Sequence, residues 1–165
     1  MRNAEEYAMS VERVKKYLEQ YHMESRLQEF EVSSATVELA AQALNVESAR
    51  IAKSISLKDK EGCVIIVAAG DAKIDNSKFK AEFGMKATML APDEVEPLTG
   101  YRIGGVCPFG NPGTAAVYCD ISLRRFDEIY PAGGSASSCV KLTCSELFEV
   151  SKSVKWVDVC KNWEQ

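Results

Sequence analysis

Histidine is all but missing: His22 is the only one in a chain of 165 residues. A hydrolase that activates serine or cysteine with an imidazole would have to use that single residue. It sits in "EQYHMES", where the sequence predicts a helix end, a place for a solvated or capping side chain rather than a general base. No apolar run approaches the ~18 residues that cross a bilayer. The N-terminal "MRNAEEYAMSVERVKKY" lacks the apolar centre of a secretion signal. A cytoplasmic location with no membrane partner is expected. An excess of basic charge is also lacking: the formal net charge is −4, so any contact with nucleic acid has to be a local rim rather than a global field. The six cysteines, Cys63, Cys107, Cys119, Cys139, Cys144 and Cys160, contain no C-x-x-C pair. They read as small buried apolar groups, and neither a metal nor another cofactor is expected.

What is present is a globular composition, 46% apolar and 27% charged, in a length that suits one domain. Tyr7, Val11, Val14, Leu18 and Tyr21 follow helical spacing. Positions 1–9 are set apart as an N-terminal extension able to join that helix, and 10–165 are taken as the domain. "RLQEFEV" alternates as a strand. Ser33, Ser34 and Thr36 offer caps for a second helix whose apolar face is Val37, Ala40, Ala41 and Leu44, closed by Asn45 in the left-handed conformation. "ARIAKSISLKDKEGCVIIVAAGD" predicts a hairpin turning at "KDKEG", with "CVIIVAAG" buried on both faces. "SKFKAEF" predicts a short helix, "KATML" a short strand and "APDEVEPL" a helical turn started by proline. Strands "TAAVYCDI", "EIYPA" and "CVKLT", helix "CSELFEV" and strand "KWVDVC" follow. Short helices among many strands predict an α+β domain with a mixed sheet.

Two features can carry chemistry. In "IAKSISL", strand alternation puts Lys53 on one face with Ile51, Ile55 and Leu57, and Ala52, Ser54, Ser56 and Lys58 on the other. A lysine among aliphatic neighbours either snorkels to solvent or serves an anionic or polar partner. The second feature is "YRIGGVCPFGNPG", with four glycines and two prolines. Such glycines either permit positive φ in a long connection or thin a wall so that a ligand can reach the backbone. The pattern is neither a phosphate-binding P-loop nor G-x-G-x-x-G. A second loop, "AGGSASS", adds small hydroxyls.

Together these residues resemble the YbaK/EbsC-type editing domains, the prolyl-tRNA-synthetase-associated family. The family's G-x-x-x-P core is matched by Gly104, Gly105, Val106, Cys107 and Pro108, its lysine by Lys53, its preceding aromatic by Phe30, and its second loop by "YPAGGSASSCVKLT". The likeness runs from about Ser10 to Cys160. It implies a single compact domain with a barrel-like mixed sheet flanked by short helices. It also implies a cytoplasmic hydrolase that removes the amino acid from a mischarged tRNA. Lys53, Gly104 and Gly105 are the implied catalytic groups. Phe30, Val106, Cys107, Pro108, Gly133, Gly134, Ser135, Ser138 and Cys139 are the implied substrate contacts. The implied partner is a tRNA acceptor end with its amino acid, and a synthetase is a further candidate. Cys139 stands where several relatives carry an acid, and "SASS" replaces a basic version of the loop, so the amino acid removed is open.

The residue inventory agrees with hydrolysis that needs no protein nucleophile, since an aminoacyl ester is already activated and a site can act by positioning water and stabilising charge. Lys73, Lys78, Lys80 and Lys86, or Arg124 and Arg125, can form a basic rim or be ordinary solvated surface. Two other readings stand beside this one: a non-catalytic module of the same fold that docks tRNA or a synthetase, and a hydrolase using Cys107 as nucleophile. The second loop, with Ser135, Ser137, Ser138 and Cys139, predicts a small amino acid held by neutral hydroxyls.

Overall fold

The computed structural model describes residues 4–30 and 36–163, with side chains from Ser10 onward. Helix α1 (Ala4–Glu19) buries Val11, Val14 and Leu18, the helical stripe expected. The side chain of Tyr7, and Ser33 and Ser34, lie outside what is described. The expected boundary at residue 10 falls inside α1. His22 follows it with φ +59 in the closing turn, its N–H donating to the Glu19 carbonyl at 3.0 Å.

Strand β1 (Leu27–Glu29) precedes helix α2 (Val37–Leu44). Thr36 caps α2, its Oγ1 accepting from the Leu39 N–H, and Asn45 ends it with φ +57. Then comes the hairpin of β2 (Ile51–Lys58) and β3 (Cys63–Ala69), antiparallel along its whole length. Strand β4 (Lys73–Ile74), helix α3 (Asn76–Phe83) and helix α4 (Pro92–Thr99) follow. The rest is β5 (Ala115–Asp120), β6 (Tyr130–Pro131), β7 (Ser138–Val140), α5 (Cys144–Val150), β8 (Trp156–Val157) and β9 (Cys160–Lys161).

The central sheet is mixed, in the order β6-β2-β3-β5-β8, with two-stranded ribbons β1-β7 and β4-β9 beside it. Only the β2–β3 pairing is antiparallel in that sheet; β6, β5 and β8 join in parallel. Every residue of β3 is buried, as its unbroken apolar run predicts for a strand covered on both faces. Leu18, Phe79, Val95, Leu147 and Val150 bring four helices into the same core. This is the α+β domain with a mixed sheet and short helices that the sequence predicts.

Several expected strands are shorter than read, and three of them bear on the site. "KATML" contributes a single bridge, Met89 to Leu57, because the chain turns into α4 at Ala91 and Pro92. "KWVDVC" is split: β8 pairs with β5 and β9 with β4, and between them the Val159 N–H goes to the buried Asp120 carboxylate at 2.9 Å. "EIYPA" keeps only Tyr130 and Pro131 in the ladder. A proline lacks the N–H that would carry the pairing onward, and that interruption creates the site.

Candidate active site

Strand β6 pairs with β2 only at Ile51 and Ala52. Farther along, Leu57 bridges Met89 and the Lys58 N–H donates to the Thr88 carbonyl at 2.8 Å. Between these points the outer edge of β2, from Lys53 to Ser56, has no ladder partner among the described residues. A cavity of about 350 Å³ opens there. Its floor is β2, including Lys53, Ser54 and Ser56. Phe30 and Cys139 line it beside the β1–β7 ribbon, Val37 and Ala40 come from α2, and Val95 comes from α4. Met89 and Ile103 stand at the lining while 62% and 66% exposed, which makes them an apolar rim.

Lys53 is half-buried, and its Nζ donates to the Gly70 carbonyl at 3.4 Å. Burial holds its amine below the ordinary lysine range; the Asp71 and Glu38 carboxylates oppose that shift and Lys73 reinforces it. The ammonium is thus incompletely compensated, as a group that meets an anion or developing negative charge needs to be.

The glycine loop walls one side. Gly104 lines the cavity at φ +90, with nothing within 4 Å of where a Cβ would sit, so its glycine is required by conformation. Gly105 is required by proximity instead: a Cβ there would lie 3.0 Å from the Gly134 carbonyl oxygen of the second loop. Its N–H donates to the Arg102 carbonyl at 2.9 Å. Behind the wall, Asn111 donates to the carbonyls of Thr99 at 2.8 Å and Cys107 at 2.9 Å. The Tyr101 hydroxyl donates to the Phe109 carbonyl, and the Arg13 guanidinium lies 4.6 Å from the Tyr101 ring centroid.

The second loop is held by its own serines. Ser135 and Ser138 hydroxyls lie 2.8 Å apart, Ser138 Oγ accepts from the Ser135 N–H, and Ser135 Oγ accepts from the Ser137 N–H. Phe30 joins this loop, its N–H donating to the Ser137 carbonyl at 2.9 Å.

Of the residues singled out from sequence, Lys53, Phe30, Gly104, Val106, Ser135, Ser138 and Cys139 meet at this cavity. Gly105, Cys107, Pro108, Gly133 and Gly134 are buried in the layer behind it. Cys107 is fully buried, with its thiol pushed up to about 12 by desolvation. Full burial weighs against the reading of Cys107 as a nucleophile, because a thiol attacks as an accessible thiolate. Cys139 also stays a thiol, pushed up to about 12 by burial. Ser135 and Ser138 do reach the lining, but loop hydrogen bonds already occupy their hydroxyls. The sequence reading named Ser54 only as part of the face opposite Lys53 and did not single out Tyr130; both line the cavity.

Three of the six candidate rim residues, Lys78, Arg124 and Arg125, are engaged. Lys78 donates to Asp158 and the Cys160 carbonyl, each at 3.1 Å. Arg125 binds Asp71 through both guanidinium nitrogens at 2.9 and 2.6 Å, and Arg124 stacks over Trp156. Lys73 stands directly opposite Lys161 in the β4–β9 ladder, an unfavourable pairing of like charges. Among the described residues no three His, Cys, Asp or Glu side chains form a metal-holding group, and no helix is long and apolar enough to cross a membrane.

Comparison with known proteins bears on the family and the fold. The aminoacyl-tRNA editing domain family matches residues 31–150. The uncharacterized protein YwhH of Bacillus subtilis is 51% identical over 157 residues, covering 94% of this chain and 100% of YwhH. EbsC of Enterococcus faecalis, named as a proposed Cys-tRNA(Pro)/Cys-tRNA(Cys) deacylase, is 28% identical over 70% of this chain and 72% of its own. Among solved structures, a proposed trans-editing enzyme for prolyl-tRNA synthetase superposes with a TM-score of 0.84. It is 29% identical and is matched over 92% of this chain and 97% of its own.

Proposed function

The chain belongs to the aminoacyl-tRNA editing domain family, and from that premise we propose that it is a trans-acting deacylase. Its substrate is the ester of a small amino acid on the 3′ end of a mischarged tRNA. The observation that carries the reading is the interrupted sheet edge: Lys53, the backbone of β2 and two tightly held loops converge on one cavity of about 350 Å³, inside the ~300–1,000 Å³ range of small-ligand sites. The ester and its terminal nucleoside lie in the cavity, with the apolar rim of Met89 and Ile103 beside the nucleoside.

Water adds to the ester carbonyl, the C–O bond to the ribose breaks, and the ribose oxygen leaves with a proton from the attacking water. Lys53 stabilises the negative charge that develops on the carbonyl oxygen, and the backbone at Gly104 orients the water. The substrate's vicinal hydroxyl assists, which suits a cavity without an imidazole. Lys73 and Lys161, opposed across their ladder, take an acceptor-strand phosphate; affinity then rests on few phosphates and falls steeply with salt. The name of the EbsC relative supports a small, polar amino acid.

The test is deacylation by the purified protein of one tRNA charged in turn with Ala, Ser, Thr, Cys, Val and Leu. Turnover of small esters above the uncatalysed rate is expected. No turnover with any ester would overturn the enzyme reading and leave the non-catalytic binding module of the same fold. Faster turnover of the Leu ester than of every small one would overturn the size preference alone.

A further inference from the structure

Ser54 Oγ is buried and has no hydrogen-bond partner among the described residues. It lies in the strand segment that floors the cavity. A hydroxyl removed from water without a partner is destabilising, and native structures retain few of them. The neighbouring hydroxyls of the lining do not share its condition. Thr36 Oγ1 accepts from the Leu39 N–H, and Ser135 and Ser138 are bonded to each other and to their loop. Lys53, adjacent in sequence, reaches the Gly70 carbonyl. Strand alternation sends Ser54 to the other side of β2, so the charged and the neutral polar group leave the strand on opposite faces while both residues line the cavity. Val37, Ala40, Leu90 and Val95 supply apolar lining to the same cavity, which favours a neutral ligand atom over a charged one.

Resting on the deacylase reading, we propose that Ser54 is the specificity-determining residue, its hydroxyl hydrogen-bonding the side-chain hydroxyl or thiol of the esterified amino acid. This moves the selecting group from the second loop, where the sequence placed it, to the floor of the cavity. The second-loop serines shape the wall; Ser54 reads the ligand.

The experiment compares Ser54→Ala with wild type on one tRNA bearing seryl, cysteinyl and 2-aminobutyryl esters. The last matches serine in size but carries a methyl in place of the hydroxyl. Wild type should favour the seryl or cysteinyl ester, and in Ser54→Ala the ratio of its kcat/KM to that of the 2-aminobutyryl ester should fall about tenfold, the scale of one neutral hydrogen bond. The melting temperature should stay level or rise, because the substitution removes an unpartnered buried hydroxyl. An unchanged ratio, or equal loss on all three esters, overturns the assignment while the deacylase reading stands. A melting temperature lowered by several degrees also overturns it, since the hydroxyl would then have a structural partner. A wild type inactive on every ester removes both readings together.

Discussion

The floor and the walls of the cavity use their polar groups in opposite ways. In the glycine loop and the second loop, Asn111, Tyr101, Ser135 and Ser138 bond the chain to itself, and the loops present backbone and apolar surface to a ligand. On β2, among the described residues, Lys53 makes one long bond to a carbonyl and Ser54 Oγ makes none. Precise loop positioning thus comes from saturating the loop's own hydrogen bonds, and chemistry comes from groups left incompletely satisfied on a rigid strand. Substitutions in the floor should change activity with little loss of stability, and substitutions in the walls should change stability first.

The largest effect is expected at Lys53. Lys53→Met should lower kcat/KM for deacylation by roughly 10²-fold, the scale of losing one stabilising donor. It should also melt higher than wild type at neutral pH. The sign follows from burial: the folded-state pKa lies below the unfolded one, so the folded form binds fewer protons between the two values and stability rises with pH through that window. Below it the charged lysine destabilises the fold, and methionine removes that burden. A Lys53→Met protein that is both fully active and less stable would erase the contrast between floor and walls.

The same shift predicts that enzymatic deacylation, corrected for the uncatalysed rate, declines as pH rises through a midpoint below that of an exposed lysine, ~10.4. A decline only at or above that value would show that burial does not lower the working pKa of Lys53, and no decline at all would show that its charge is not used.

On the wall side, Asn111→Ala leaves two carbonyls without their donor and should lower stability by about 1–3 kcal/mol, measured by urea unfolding. Gly104→Ala should cost about 1–2 kcal/mol because a side chain is strained at φ +90. Activity should fall with the lost loop geometry. The smallest effect belongs to Cys107→Ala, which should keep wild-type deacylation, and native Cys107 should resist alkylation. Loss of turnover in Cys107→Ala with an intact fold would sharpen nothing and instead return the thiol to the chemistry.

Much of the fold was legible locally. The stripe Val11, Val14, Leu18 identified α1, the apolar run of β3 its burial, and Asn45 the end of α2, because each depends on residues a few positions apart. Lys53 and Gly104 were legible through the family's motif spacing. Pro131 was read as part of a strand, and its effect depends on which strand lies beside it, which local sequence does not encode.

Taken by itself, the amino-acid sequence determined the types of most elements and the family, and pointed to the lysine and glycine loop that meet at the cavity, since periodicity and motif spacing are properties of neighbours along the chain. Only the tertiary structure decided that Cys107 lies behind the wall, that Ser135 and Ser138 hold their own loop, and that Ser54 finds no partner among the described residues. Burial and hydrogen-bond satisfaction depend on groups far apart in sequence, and the packing of α4, β6 and the two loops around the open edge of β2 sets both.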